Sequence, residues 1–167
     1  MSIIIQRATC ADATEILQYL KQIGRETDNL SFGSEGLPFT PESEAAYLSQ
    51  IENSSDEIML IAKENGKIVG SASLSRLPRR MKHRGDFSVS VLQEYWNKGI
   101  GSLLLVEIIN FAKENSFEVI DLHVRSDNLS AIHLYEKFGF AKIGTHPNFF
   151  KLGNEEIPFD YMCLMIY

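Results

Sequence analysis

Gly99 and Gly101 are the residues whose spacing points most directly to chemistry. They follow an alternating run, Phe87-Ser-Val-Ser-Val-Leu92, and open the apolar stretch Ser102-Leu-Leu-Leu105. A strand that turns through Gly-x-Gly into a helix start presents backbone N–H groups with no intrahelical acceptor, at the positive end of the helix dipole. That is an anion site, shaped for a pyrophosphate. A Cβ at either glycine would hold the phosphate oxygens away from the amides. Two glycines before a helix also serve as a plain tight turn, so the pair needs a second signal. Neither of the common nucleotide motifs supplies it. No Gly-Lys-Ser/Thr follows, and no run of βαβ units surrounds the turn, which excludes a P-loop or a dinucleotide fold. His83, His133 and His146 have no partner at catalytic or metal-ligand spacing, and Cys10 and Cys163 belong to no metal-type pattern, so no metal is expected.

Composition sets the frame. A chain of 167 residues with 44% hydrophobic and 23% charged residues reads as one soluble domain over residues 1–167, large enough for a core. Its 16 basic against 22 acidic residues give a formal charge of −6, which argues against nucleic-acid binding and suits a cationic substrate. Two thiols do not make a disulfide framework. The opening Met-Ser-Ile-Ile-Ile-Gln-Arg is too short an apolar run for a signal peptide, and no segment approaches a membrane span. A cytoplasmic location is the expectation.

The elements that must position the glycines read as follows. Ile3 to Arg7 is a strand. Thr9 with Asp12 forms a capping box before a helix striped by Ala13, Ile16, Leu17, Leu20 and Ile23. The loop Arg25 to Phe39 carries Leu30, Phe32, Leu37 and Phe39, so it folds over something. Thr40-Pro41 starts a second helix with Tyr47, Leu48 and Ile51 on one side. Ile58–Lys63 and Lys67–Leu74 flank Glu64-Asn65-Gly66, a hairpin signal. Pro78 to Arg84 is a basic connector. The strand Phe87–Leu92 and the helix beyond Gly101 follow, the latter apolar at Leu104, Leu105, Ile108, Ile109, Phe111 and Ala112. Val119–Val124 is a strand, and Asp127-Asn128 caps a helix with Ala131, Leu134, Tyr135 and Phe138 at i, i+3, i+4 and i+7, ended by Gly139. Strands Ala141–Thr145 and Phe159–Ile166 turn through Leu152-Gly153-Asn154. The order is β-α-α-β-β-β-α-β-α-β-β. Nothing in it repeats and no linker interrupts it.

Two segments, taken together, resemble the GNAT superfamily of acyl-CoA N-acyltransferases. The family's pyrophosphate motif is Arg or Gln, two residues, Gly, any residue, then Gly or Ala; here it reads Trp96-Asn97-Lys98-Gly99-Ile100-Gly101. The family's later motif, an Asn before a helix ending in Leu-Tyr-x-x-x-Gly-Phe, reads Asn128-Leu-Ser-Ala131-Ile-His-Leu134-Tyr135-Glu-Lys-Phe-Gly139-Phe140. Trp96 departs from the usual Arg or Gln. The resemblance implies an α/β (α+β) fold. Its single three-layer domain has a central, mixed, mostly antiparallel twisted sheet of about seven strands flanked by about four helices. It also implies an N-acetyltransferase using acetyl-CoA (coenzyme A) as co-substrate. The acceptor is a primary amine of a small molecule or a peptide N-terminus, attacking directly in a ternary complex. The alternative on the same fold is a catalytically silent acyl-CoA-binding or regulatory module.

Roles for individual residues come with that resemblance. The segment Trp96-Asn97-Lys98-Gly99-Ile100-Gly101-Ser102 is assigned to the cofactor, its amides from Lys98 onward holding the diphosphate. The Lys98 ammonium and Ser102 hydroxyl are further donors. The backbone of Val91 pairs with the pantetheine arm and turns its N–H to the thioester carbonyl, while Asn128 offers its amide to a pantetheine carbonyl. Tyr135 is the acid at the departing sulfur, unless it is only one of four stripe residues. For the amine proton, Asp86 acting through water, His123 on the next strand, and solvent stay open. The loop Leu30–Phe39, the second helix and the Phe149–Phe159 hairpin are expected to wall the amine pocket, with Glu35, Glu155, Glu156 and Asp160 as acids that could meet a cation. The last strand could be swapped or paired across a dimer, leaving monomer or homodimer open.

Overall fold

A computed structural model of the chain describes residues 2–166. The strands are β1 (Ile3–Arg7), β2 (Glu57–Glu64), β3 (Lys67–Arg76), β4 (Arg84–Val91), β5 (Val119–Arg125), β6 (Ala141–Leu152) and β7 (Glu155–Met165). The helices are α1 (Ala13–Glu26), α2 (Pro41–Ile51), α3 (Ile100–Glu114) and α4 (Leu129–Lys137), in the expected order. One 7-stranded sheet runs β1-β2-β3-β4-β5-β7-β6. Every neighbouring pair is antiparallel except β4 with β5.

Alternation along the strands sorts the chain into three layers. In β3 and β4, Ala72 and Leu74 stand beside Val89 and Phe87, while Ser73 stands beside Ser88 and Ser75 beside Asp86. Helices α3 and α4 cover the apolar side. A Cβ on Gly70 would touch Ile100 and Leu104 of α3, and the Phe87 ring meets Tyr135 of α4 edge-on, centroids 6.2 Å apart. Leu104, Leu105, Ile108 and Ala112 are sealed there. Helices α1 and α2 cover the serine side, where Tyr19 bonds Ser90 through both its carbonyl (3.0 Å) and its hydroxyl (2.8 Å). The Asn65-Gly66 turn has φ of 50° and 81°, the left-handed pair that a two-residue hairpin needs.

Local sequence explains how α1 and α2 are held. Asp12 accepts from the Thr9 N–H at 2.9 Å, closing the capping box, and its other oxygen receives Lys63 at 2.9 Å. Arg7 gathers the carbonyls of Ile51, Ser54 and Glu57 at the end of α2. Gly24, inside α1, lies under the loop between the helices; a Cβ there would sit 2.0 Å from the Gly33 carbonyl oxygen.

Three boundaries differ from the sequence reading. Strand β4 starts at Arg84, so the last residue of the basic connector is a strand residue. Its guanidinium bonds Asp121 at 2.7 Å and the Tyr161 hydroxyl at 2.8 Å. Strands β6 and β7 form one long ribbon to Leu152 and from Glu155, where shorter strands were expected; a register shift between His146 and Phe150 breaks the alternation that would have revealed it. Strand β7 is paired on both sides within the chain, by β5 and β6, which leaves it no free edge for a partner.

Burial penalises the Asp12 carboxylate, but Lys63 and the Thr9 N–H outweigh it and hold the group below its ordinary value. A depressed carboxylate stabilises the fold above its unfolded value, near pH 4, and loses that contribution as pH falls through the folded value. Asp12→Asn should therefore lower stability by about 1–3 kcal/mol at neutral pH. In urea melts the gap to the unsubstituted protein should narrow below about pH 4.

Candidate active site

The parallel ladder between β4 and β5 is short. Arg84, Gly85 and Asp86 pair with Val119, Ile120 and Asp121, and there it ends. Beyond that point β4 stays with β3 and β5 stays with β7, and a cleft of about 560 Å³ lies beside the freed end of β4, walled opposite by Asn128 and α4. Val91 lies opposite Gly70, and the neighbouring Leu92 N–H donates to Val69. By the alternation of an antiparallel ladder, the N–H and C=O of Val91 then face away from β3, toward the cleft. The carbonyl is taken: Trp96 Nε1 donates to it at 2.7 Å. The residue in the Arg/Gln position thus ties down the end of β4, and only the Val91 N–H is left for a ligand.

At one end of the cleft stands the N-terminus of α3. Its first helical bond runs from the Leu103 N–H to Gly99, so the amides of Ile100, Gly101 and Ser102 have no acceptor within the helix. The two glycines have different reasons. Gly99 sits at φ 79°, with open space where a Cβ would be, so it is needed for conformation; at Gly101 a Cβ would press on Leu134 of α4 at 3.2 Å. Opposite, Asn128 Oδ1 accepts from the Ala131 N–H at 3.3 Å, leaving its amide nitrogen for the cleft. Tyr135 is 7% exposed, and burial alone, without a hydrogen-bond or charge partner, raises its phenol above the ordinary value. Val91, Trp96, Asn97, Gly99, Ile100, Gly101, Ser102, Asn128 and Tyr135 all line this cleft. Lys98 does not; its ammonium stands 5.0 Å over the Tyr95 ring.

The proposed base lies elsewhere. Asp86 is on the serine side of the sheet and lines neither the cleft nor the second cavity described below. Desolvation pushes its carboxyl up, His123 opposes, and Asp121 adds to the rise. His123 is exposed, opposite in sense to buried Leu122 and Val124 as alternation required. Its ring is stacked at 5.1 Å against both Phe149 and Tyr161.

The second cavity, about 590 Å³, lies on the serine side beneath the 27–40 loop and α2. It shares Leu30, Val89 and Ser90 with the cleft, so the two spaces meet at β4. The loop residues Leu30, Phe32, Leu37 and Phe39 wall it as expected. The β6–β7 ribbon does not, because Phe149 and Phe150 pack on Phe159 and His123 instead. Asp160 is spent on Ser126, Thr145 and Lys142, whereas Glu35 accepts the Gly33 N–H, is exposed and does not line the cavity. Glu155 and Glu156 are exposed on the ribbon.

A family model, "Acetyltransferase (GNAT) family", matches residues 25–140, a stretch that holds the loop, the diverging strands, both glycines and Tyr135. The chain belongs to the GNAT family. Among GNAT relatives, it is 32% identical over 96 residues to the N-alpha-acetyltransferase RimI of Mycobacterium tuberculosis, covering 57% of this chain and 59% of that one. It is 34% identical over 108 residues to the L-amino acid N-acetyltransferase AaaT of Escherichia coli, covering 62% and 65%. The match thus spans less than two thirds of either relative. A crystal structure of a GNAT-family acetyltransferase from Streptococcus pneumoniae superposes with a TM-score of 0.95 at 32% identity, over 99% of this chain and 100% of that one.

One residue of this GNAT site escaped the sequence reading. Glu44, on α2, is 5% exposed and lines the second cavity. The signal was present: Glu44, Leu48 and Ile51 stand at i, i+4 and i+7, which places an acid on the buried stripe of the helix. The serine floor, Ser71, Ser73, Ser88 and Ser90, was likewise visible only as alternation.

Proposed function

We propose that the chain is an acetyl-CoA-dependent N-acetyltransferase acting on a primary amine. The observation that carries the reading is the diverging β4–β5 pair, with free α3 amides at one end and a buried, unpartnered phenol beside it. A thioester donor supplies an acyl carbon that an amine can attack. The fit of such a donor rests on the donor set. The amides of Ile100, Gly101 and Ser102, with the Ser102 hydroxyl, suit a diphosphate. The Asn128 amide and the Val91 N–H suit carbonyls further along an extended arm. Trp96 and Asn97 wall the same end, and Lys98 reaches the diphosphate only by leaving the Tyr95 ring.

The remaining roles follow from what acyl transfer to nitrogen requires. The Val91 N–H is the donor for the oxyanion that forms on attack. Tyr135, whose burial disfavours the phenolate, stays protonated and donates its O–H to the departing sulfur, stabilising the thiolate; a proton passed on through the hydroxyl would be replaced from solvent. The amine must shed a proton to end as an amide. Asp86 is the proposed sink, reached through water past the Ser88 and Ser73 hydroxyls, which lie 2.8 Å apart. The amine would enter by the second cavity and meet the donor at Ser90. The acceptor is a small-molecule amine or a peptide N-terminus. RimI and AaaT carry names for one kind each, and the family does not choose between them.

Free-thiol release from acetyl-CoA with a panel of amines, amino acids and peptides tests the function. Amine-dependent thiol release is expected, together with a rise in melting temperature on adding acetyl-CoA. A cofactor-induced shift with no turnover of any amine would favour the silent module instead. Tyr135→Phe should lower kcat by about 10- to 100-fold and keep most of the cofactor-induced thermal shift. Asp86 must be ionised to accept a proton, and its value is raised. The acid limb of kcat/KM should therefore lie above the ordinary carboxylate value of about 4, activity falling as pH drops through it. Asp86→Asn should abolish that limb; an unchanged profile assigns the proton to solvent or His123.

A further inference from the structure

We propose that the cavity beneath the 27–40 loop receives an acceptor bearing a second ammonium group, and that Glu44 selects it. The inference rests on the acetyltransferase reading of the adjoining cleft and narrows its substrate. Among the described residues, Glu44 is the one charged side chain lining this space, and no Lys, Arg or His lines it. Burial alone raises its carboxyl, with no hydrogen bond or cation to offset it. Its oxygens are not sealed from the cavity. Among the described residues, the buried side-chain atom that lacks both a partner and access is Arg7 Nε, and Glu44 is not in that position. Tyr47 donates instead to Glu57 at 2.6 Å, and the Ser73 and Ser88 hydroxyls bond each other.

An unpartnered carboxylate with apolar neighbours is costly unless an occupant supplies the donors and the opposite charge. The walls around it, Leu20, Phe32, Leu37 and Met59, suit a methylene chain. The far end opens at Ser90, where the cavity meets the cleft. A linear molecule with an amine at each end would place one ammonium on Glu44 and present the other, deprotonated, to the thioester. An acceptor carrying a carboxylate would find no cation here and one negative charge, so amino acids are disfavoured. The loop roofing the cavity favours a small molecule over a peptide, which needs an exit for its chain.

The test compares a linear α,ω-diamine, the n-alkylamine of the same length and the matching ω-amino acid, each with acetyl-CoA. The unsubstituted protein should favour the diamine in kcat/KM over both others by about 30-fold or more, mostly through KM. Glu44→Gln should collapse the ratio of diamine to alkylamine to within a few-fold, while the acetyl-CoA-induced thermal shift persists. Equal use of diamine and alkylamine, a preference that survives in Glu44→Gln, or turnover of peptide N-termini alone would overturn the proposal. So would a protein that binds acetyl-CoA and leaves the diamine untouched. Each of these leaves the cofactor site standing, whereas loss of the acetyl-CoA thermal shift in the unsubstituted protein would instead sink the acetyltransferase reading. The comparison among acceptors needs no variant, so misfolding of Glu44→Gln would not remove the test.

Discussion

The early end of the β4–β5 ladder is the constraint on which the rest of the molecule depends. Parallel strands normally continue side by side until both are covered, because an unpaired backbone amide or carbonyl away from water is costly. Here pairing stops after Asp86 and Asp121. The closed half is clamped by Arg84, which joins Asp121 and the Tyr161 hydroxyl across three strands. The open half is kept open by what stands around it. The N-terminal end of α3 packs on the middle of α4 where Gly101 meets Leu134, and Trp96 satisfies the carbonyl of Val91. What the fold leaves free around this split includes the first amides of α3 and the Val91 N–H, and donors are what a diphosphate and a thioester carbonyl would require.

Strand β4 serves both spaces because its side chains alternate. Phe87, Val89 and Val91 share the face of α3 and α4, whereas Asp86, Ser88 and Ser90 share the face of α1 and α2. One strand therefore forms a wall of the cleft and the floor of the second cavity. The two meet at the residues that line both. On the proposed reading, donor and acceptor would approach this one backbone from opposite sides of the sheet and meet where the strand stops being paired.

Much of this was legible in the sequence, and the parts that were not share a cause. Every strand and helix announced itself through period, caps or glycine, since those signals are local. The Gly-x-Gly turn and the Asn128-to-Phe140 segment were readable for the same reason, and the cleft lies between them. What stayed hidden depends on contacts between distant residues. Arg84 looked like the end of a basic run because its partners lie on β5 and β7. Trp96 read only as a departure within the cofactor segment, because its bond to Val91 is a matter of turn geometry. Asp160 read as a free acid until Ser126, Thr145 and Lys142 converged on it. Glu44 is the exception: its place on the apolar stripe of α2 was a local signal, and an acid there needed an explanation.

The bare α-carbon of Gly24 has a consequence for the lineage of this chain. The turn around Gly33 rests directly on the α1 backbone, closer than any side chain would permit. Even a methyl at that position would force the 27–40 loop away from α1 and change the cavity beneath it. Changes in chamber size must therefore arise from the panels of the roof, at Phe32, Leu37 or Phe39, and not from its hinge with α1. Related chains with a wider cavity would differ at those panels and keep the bare α-carbon beneath them.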